Sequence, residues 1–174
     1  RKIYKTRTKQ TLQPDTLIAL CVERSLEMVI GILAVLKSGG AYVPIDSNYP
    51  TDRIDYMLED TATALILTQE TIAQAQLAHV EKERLLVIDL STSFYKDTAV
   101  ENLQIDIQPH DLFIAIYTSG TTGKPKGVLI EHHTIHNTVA DLLPVYTSVS
   151  HTTAYTSYVF DVSIFEIFSS LISD

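Results

Sequence analysis

The segment YTSGTTGKPKG, residues 117–127, is the most informative stretch of this 174-residue chain. It lies between two apolar runs, LFIAI at 112–116 and VLI at 128–130. Short apolar runs bounded by glycine and proline are typical of strands, so the pattern predicts two strands joined by an irregular loop. Three of the eleven loop residues are glycine, which adopts backbone conformations closed to other residues. We therefore expect a tight turn whose backbone can come close to a ligand.

The side chains of this loop suit phosphate oxygens. Its hydroxyl and ammonium groups belong to Thr118, Ser119, Thr121, Thr122, Lys124 and Lys126. Backbone N–H groups of a glycine-rich turn form an anion-binding concavity, and hydroxyls and lysines add hydrogen bonds and positive charge. The loop differs from the P-loop of NTPases, which needs four residues between its first glycine and its Gly-Lys-Ser/Thr. Here two residues separate Gly120 from Gly123, and Pro125 follows Lys124.

Three segments together resemble one enzyme superfamily. Every position from Thr118 to Gly127 is similar to the phosphate-binding signature of the adenylate-forming enzymes, which include acyl-CoA synthetases, luciferases and the adenylation domains of nonribosomal peptide synthetases. LKSGGAYVPID at 36–46 and RIDYMLED at 53–60 resemble the peptide-synthetase branch more closely than the acyl-CoA synthetases. The pattern departs from that branch at Ser47-Asn48, where proline and an acidic residue are usual. In terms of residue chemistry, the glycines and prolines of the second segment end a helix and fix turns.

The third segment, YVFDVSIFE at 158–166, concerns the acid substrate. An aspartate before a helix is usually an N-cap. In the amino-acid-activating members of the superfamily the matching aspartate binds the substrate α-ammonium, so the resemblance implies this role for Asp161 and side-chain pocket positions for Val162 and Phe165. Periodicity alone fits Phe165 equally well to an ordinary helix core. Ser163 is expected to support the helix start, because no GxSxG motif surrounds it.

The resemblance implies ATP-dependent activation of an amino acid as an aminoacyl-adenylate, with loading onto the phosphopantetheine thiol of a peptidyl carrier protein among neighbouring synthetase domains. The implied cofactors are ATP and Mg²⁺, with no metal ligand assigned, and the implied catalytic residues are Thr118 and Lys124. The implied phosphate-binding residues are Thr118, Ser119, Gly120, Thr121, Thr122, Gly123 and Lys124. An acyl- or aryl-acid ligase of the acyl-CoA synthetase type is one alternative, although a carboxylate at Asp161 offers nothing to a fatty acid. A noncatalytic nucleotide-binding fragment is the other.

The resemblance covers only the first part of the large subdomain of these enzymes. We expect residues 1–13 to form a basic, solvated N-terminal segment and residues 14–174 an incomplete AMP-binding subdomain. The adenine-binding and ribose-binding segments and the small subdomain with its catalytic lysine would lie beyond residue 174. The chain by itself is therefore expected to be inactive.

Charge and composition exclude several other classes. Acidic residues outnumber basic ones 21 to 13, and five of the basic residues lie in the first ten positions. Such an acidic body disfavours a nucleic-acid partner. The longest apolar run, residues 28–36, is far short of the ~20 residues that cross a bilayer, so no membrane segment is expected. Cys21, the only cysteine, lies in an apolar run and is expected to be a core thiol in a reducing cytoplasm.

The periodicity predicts an α/β fold with a parallel-rich sheet flanked by helices, because short apolar strands alternate with amphipathic helices. Strands are predicted at 17–22, 41–46, 64–67, 85–88 and 152–156, besides those that flank the loop. Helices are predicted at 26–36, 52–59, 70–80, 132–143 and after Asp161, with Ser25 and Thr51 as N-caps of the first two. The first helix is expected to bury Leu26, Val29, Ile30, Leu33 and Leu36. Residues 91–110 are predicted to form a loop with at most one short edge strand.

Three histidines, His132, His133 and His136, suggest a metal site at first sight. His132 and His136 are four residues apart on a predicted helix, a spacing that can place both on one zinc ion. A third ligand at matching spacing and a general-base glutamate between them are both lacking, so the sequence disfavours zinc at this pair.

Overall fold

The computed structural model describes residues 1–92, 95, 101–120, 124–146, 151 and 153–172. Its strands are β1 Leu17–Cys21, β2 Ala41–Pro44, β3 Ile66–Thr68, β4 Leu85–Val87, β5 Leu112–Thr118 and β6 Lys126–Glu131. Its α-helices are α1 Lys2–Thr8, α2 Leu26–Lys37, α3 Thr51–Asp60, α4 Glu70–Ala75, α5 His132–Tyr146 and α6 Val162–Ile172. Two short 3-10 helices cover Lys82–Arg84 and Leu90–Thr92.

The six strands form one sheet in the order β4-β3-β1-β2-β5-β6. The first five strands along this order pair in parallel. The last pair, β5 and β6, is an antiparallel hairpin whose final partners are Thr118 and Lys126. The predicted α/β class with a parallel-rich sheet is confirmed.

Helices cover both faces of this sheet because side chains alternate along each strand. Ile18 and Leu20 of β1 join a core with α2, α5 and α6. Ala19 and Cys21 of the same strand join a second core with α3 and α4. Each strand of the centre is therefore apolar on both sides, which explains its continuous apolar sequence.

Helix α2 begins as predicted, but its buried face overlaps the predicted one only in part, since Leu36 is buried and Val29 packs against the core, whereas Ile30 is exposed. The Ser25 Oγ accepts a hydrogen bond from the Met28 N–H at 3.3 Å, which confirms the N-cap. Leu26 is 71% exposed, while Ile32 is fully buried together with Met28 and Val35. The helix is apolar almost all round, so periodicity could not select the face. Contact with the sheet determines the buried face at Gly31, where an added Cβ would lie 2.7 Å from the Leu20 side chain.

Other local predictions need correction. Thr51 is the first residue of α3, and Pro50 occupies the cap position without a side-chain hydrogen bond. Helix α4 ends at Ala75 rather than near residue 80. Of the strand predicted at 152–156, residue 152 lies outside the described residues and residues 153–156 form no strand. The Thr156 N–H and hydroxyl instead donate to the Glu166 carboxylate at 2.9 and 2.7 Å. The described residues 101–110 contain no strand, which agrees with the predicted loop.

The basic start of the chain is a helix that packs on the sheet. Tyr4 of α1 is 5% exposed, and its ring joins the core that contains α2. The Arg1 guanidinium donates to the Ser38 carbonyl at 2.9 Å, and that of Arg7 donates to the Leu85 carbonyl at 2.6 Å. These residues are thus more than a solvated segment, although the boundary at residue 13 remains a prediction. Among the described residues, no helix has the length and apolar character needed to cross a membrane.

Candidate active site

The carboxyl ends of the parallel strands define one edge of the sheet. There the chain leaves β1 for α2 on one face and leaves β2 for α3 on the opposite face. Adjacent parallel strands whose connections diverge in this way leave a crevice between them, which is where α/β proteins bind ligands. Strand β5 pairs with β2 and ends at Thr118, so the glycine-rich loop starts at this same edge.

Tyr158 attaches the third sequence segment to that edge. Its hydroxyl donates to the Ile45 carbonyl at 2.6 Å and accepts from the Val22 N–H at 3.2 Å. These two partners follow β2 and β1, so the hydroxyl lies in the crevice between the strands. Burial raises the pKa of Tyr158, which keeps the hydroxyl protonated. Asp161, three residues further on, is thereby held at the carboxyl edge.

No sequence motif singles out Tyr158 for this contact. A tyrosine in an apolar segment is a signal that its hydroxyl will have a partner, because a buried phenol normally finds one. The sequence could not identify that partner, since Val22 lies 136 positions away.

The described residues on the two sides of the glycine-rich loop come close to each other. A Cβ at residue 120 would lie 2.2 Å from the Lys124 carbonyl oxygen, a distance that only glycine permits. Thr118, Ser119, Lys124 and Lys126 are all exposed. The hydroxyl and ammonium groups of the described part of the loop are thus accessible from solvent. The predicted phosphate-binding residues Thr121, Thr122 and Gly123 lie outside the described residues.

A contact with α3 supports the strand that enters the loop. Tyr117 is 8% exposed, and its hydroxyl donates to the Asp60 carboxylate at 2.5 Å. The ring lies against Gly127 of β6, where a Cβ would come within 3.2 Å of it. The Lys124 ammonium group is 5.7 Å from the centre of the Tyr56 ring, also on α3. Sequence reasoning missed Asp60, since no local pattern links it to a strand 57 residues later.

The predicted substrate residues differ in their surroundings. Asp161 is exposed at the start of α6, and its Oδ1 accepts from the Val162 N–H at 2.9 Å. Val162 is 51% exposed, whereas Phe165 is partly buried and packs against the core. The Ser163 hydroxyl donates to the Phe160 carbonyl at 2.6 Å, which confirms its supporting role at the helix start. The carboxyl edge of the sheet therefore combines the donor-rich loop with the exposed carboxylate of Asp161.

The remaining singled-out side chains are structural. The His132 ring lies 5.0 Å from that of Phe113, and burial lowers the pKa of His132. His136 lines an apolar cavity of about 270 Å³. Among the described residues no third metal ligand joins this pair. Cys21 is fully buried, and burial raises its thiol pKa to about 12, as expected for a core thiol.

Comparison with protein families gives one match that spans most of the chain. Residues 8–173 match the AMP-binding enzyme family. The chain belongs to this family. In this AMP-binding chain the matched region contains the glycine-rich loop, Tyr158 and Asp161.

Relatives of this AMP-binding chain include parts of large synthases. It is 44% identical over 169 residues to one of the subunits of the linear gramicidin synthase of Brevibacillus parabrevis, covering 94% of this chain and 3% of the relative. It is 42% identical over 157 residues to zwittermicin A synthase ZmaJ of Bacillus cereus, covering 89% of this chain and 29% of the relative. The chain therefore spans less than a third of the length of either relative.

Solved structures agree with the fold. The nonribosomal peptide synthetase FmoA3 in its α-methyl-L-serine-AMP bound form has a TM-score of 0.81 at 25% identity, over 98% of this chain and 19% of that chain. The AMPPNP bound form of FmoA3 has a TM-score of 0.78 at 26% identity, over 98% of this chain and 18% of that one. The family and the sheet architecture predicted from the sequence are thus both confirmed.

Proposed function

We propose that this chain is the N-terminal part of an adenylation domain that activates an amino acid with ATP. The observation that carries the proposal is the close approach of Gly120 to the Lys124 carbonyl in a donor-rich segment that starts at the carboxyl edge of the sheet, where the exposed carboxylate of Asp161 also lies. Relatives that are peptide synthases and FmoA3 with a bound aminoacyl-adenylate support the same reaction class. Binding of AMPPNP by FmoA3 supports ATP as the co-substrate.

In the proposed reaction a carboxylate oxygen of the amino acid attacks the α-phosphorus of ATP. The bond from the α-phosphorus to the bridging oxygen breaks, and pyrophosphate leaves with the bonding electrons. No protein atom bonds covalently to the substrate, so the protein acts by positioning and charge stabilisation. Thr118, Ser119 and Lys124 would donate hydrogen bonds to the β- and γ-phosphate oxygens, together with the backbone of the loop. Thr121, Thr122 and Gly123 are proposed to share this role on the basis of the sequence.

The loop fits phosphate oxygens rather than a metal ion. Its eleven residues include two lysines and no carboxylate, so it offers donors to an anion and no charged ligand to a cation. We propose that Mg²⁺ is held mainly by the oxygens of ATP. When bound, it would neutralise negative charge on the phosphates.

The substrate contacts follow from the position of Asp161. Its carboxylate would pair with the substrate α-ammonium group, an interaction that becomes strong once water is excluded. Val162, exposed beside it, would contact the substrate side chain. Phe165 would contribute from the core side, as one wall of the pocket.

The parent protein would pass the activated amino acid to a carrier. We propose that the thiol of a phosphopantetheine arm on a peptidyl carrier protein receives the aminoacyl group, with neighbouring synthetase domains in the same cytoplasmic protein. Residues 14–174 would form the first part of the AMP-binding subdomain. Adenine and ribose contacts would come from other parts of the parent protein, so this chain alone is expected to be inactive.

The test is amino-acid-dependent ATP–pyrophosphate exchange in the full-length protein that contains this chain. We expect exchange with one or a few amino acids and a loss of about hundredfold or more in Asp161→Ala, because the ammonium group loses its counter-charge. Asp106 is an exposed aspartate before β5, so Asp106→Ala is the matched control and should retain exchange. Exchange driven by a fatty or aryl acid and unaffected by Asp161→Ala would assign the protein to the acyl-ligase branch. Nucleotide binding without exchange would favour a noncatalytic role.

A further inference from the structure

Three side chains of types that can bind metals lie close together at the opposite edge of the sheet, where β5 begins and β6 ends. The Oε2 atom of Glu131 lies 2.9 Å from Nδ1 of His110 and 3.1 Å from Nδ1 of His133. One ligand atom from each of these residues lies within 4.8 Å of the other two. Among the residues that the structure describes, this is the only such group of three.

The backbone brings these residues together from three elements. His110 precedes β5, Glu131 is the last residue of β6, and His133 belongs to the first turn of α5. Glu131 is paired with Leu112 in the hairpin. The His133 N–H donates to the Pro109 carbonyl at 2.9 Å, which ties the start of α5 to the turn before β5. The cluster is therefore fixed by main-chain pairing and does not depend on flexible side chains alone.

Two of the three separations between ligand atoms are close to those of a metal site, and the third is within 4.8 Å. Ligand atoms about 2.0–2.1 Å from a tetrahedral zinc ion are about 3.3 Å from each other. The two contacts of Glu131 are only a few tenths of an ångström shorter than this separation. The side chain of His110 is 82% exposed and those of Glu131 and His133 are 38% and 42% exposed, so water can complete the coordination. The Pro109 carbonyl oxygen, 3.2 Å from Nδ1 of His133, adds a further oxygen beside the cluster.

A second histidine is what distinguishes this cluster from an ordinary surface pair. His79 and Asp55 make a similar contact at 2.7 Å, also with both side chains partly exposed, but without another ligand among the described residues. In this cluster two imidazole nitrogens share one carboxylate oxygen of Glu131. A divalent ion would stabilise this arrangement, because three coordinate bonds would replace two hydrogen bonds to one oxygen.

We propose that His110, Glu131 and His133 form a binding site for a borderline-soft divalent ion such as Zn²⁺, with water as the remaining ligand. Two imidazoles and one carboxylate are a donor set that such ions prefer over Mg²⁺ and Ca²⁺. The seven residues of β5 separate the site from the glycine-rich loop by roughly 20 Å. The ion would join the turn before β5, the end of β6 and the start of α5, and it would take no part in adenylation.

The probe for this site is Co²⁺, whose visible absorption reports nitrogen and oxygen coordination. We expect the full chain, stripped of metal, to bind one Co²⁺, with displacement by Zn²⁺ and a rise in melting temperature on addition of Zn²⁺. His110→Gln and His133→Gln should each weaken Co²⁺ binding by about tenfold or more, because each removes one of three protein ligands. His79→Gln is the matched control and should bind as the wild type does.

Three results would overturn the proposal: no saturable Co²⁺ absorption in the wild type, equal binding by the wild type and the two site variants, or an equal loss in His79→Gln. His110 is the most exposed of the three side chains, so His110→Gln is the variant least able to disturb folding, and circular dichroism checks this directly. Because the readout is metal binding, its failure would leave the proposed adenylation untouched.

Discussion

Gly120 shows how a single residue permits a close backbone contact in the glycine-rich loop. The backbone at residues 120 and 124 is so close that any side chain would collide with a carbonyl oxygen. At Gly127 the nearest neighbour of an added Cβ would instead be the Tyr117 ring, at 3.2 Å, which can shift by a few tenths of an ångström. The two glycines of one loop therefore differ in what they tolerate.

The first prediction is that Gly120→Ala opens the loop and lowers ATP–pyrophosphate exchange of the full-length protein by about hundredfold, because a displacement of about 1 Å at a catalytic group has effects of this size. Gly127→Ala should cost clearly less, and exchange kinetics of the two variants provide the measurement. Equal activities for Gly120→Ala and the wild type would contradict the close approach.

The Tyr158 hydroxyl connects its own segment to the ends of two strands that are distant in sequence. We predict that Tyr158→Phe destabilises the chain by about 1–3 kcal/mol, because the buried Val22 N–H and Ile45 carbonyl lose a hydrogen-bond partner. Urea unfolding followed by circular dichroism measures the change. Tyr155→Phe is the control, since Tyr155 is 84% exposed and should show no loss. Similar stabilities for the two variants would show that the Tyr158 hydroxyl contributes nothing.

Among the secondary-structure elements, helix α2 is apolar on most sides, and its packing against the sheet determines which face is buried. Helix α2 packs through Gly31, because the absence of a side chain there lets the helix approach β1. The choice places Ile32 in the core and leaves Leu26 in solvent.

This choice of face predicts a large contrast between two substitutions in one helix. Ile32→Ala should destabilise the chain by about 2–5 kcal/mol, since it leaves a cavity in the core. Leu26→Ala should change stability by about 0.5 kcal/mol or less. The free energies of unfolding of both variants provide the measurement. A larger loss in Leu26→Ala than in Ile32→Ala would contradict the burial of Ile32.

At the scale of the whole molecule, strand β6 ends the sheet with apolar residues in solvent. Val128 is 48% exposed and Leu129 is 57% exposed, and within the described residues β6 pairs only with β5. Successive residues face opposite sides, so both faces of this edge strand present apolar surface. An edge of this kind is a template for pairing with another chain.

We predict that the chain by itself associates as its concentration rises, and that Leu129→Lys shifts it toward the monomer, because a charged side chain on an edge strand opposes pairing. Analytical ultracentrifugation over a range of concentrations gives the measurement. Leu103→Lys is the control, since Leu103 is 54% exposed but lies in a loop. A monomeric wild type, or equal effects of the two lysines, would contradict a role for the β6 edge.

Local sequence was sufficient for much of this protein. Apolar runs and their spacing predicted the parallel-rich sheet, the strands on either side of the loop, and the helices after Ser25 and Asp161. The glycine, hydroxyl and lysine pattern at 117–127 predicted a phosphate-binding loop, and its resemblance to the signature of the adenylate-forming enzymes predicted the family. These features depend on residues that are close to each other in the sequence, so they can be predicted from it directly.

Tertiary structure alone decided which distant groups meet. The buried face of α2, the Tyr158 hydroxyl between two strand ends, the contact of Tyr117 with Asp60, and the cluster of His110, Glu131 and His133 all join residues from separate elements. The sequence drew attention to His132, His133 and His136 because of their helical spacing. The hairpin instead places His133 beside His110, which precedes β5, and Glu131, the last residue of β6. Hydrogen bonds and coordination act over about 3 Å in space, and proximity in space is set by how strands pair and helices pack.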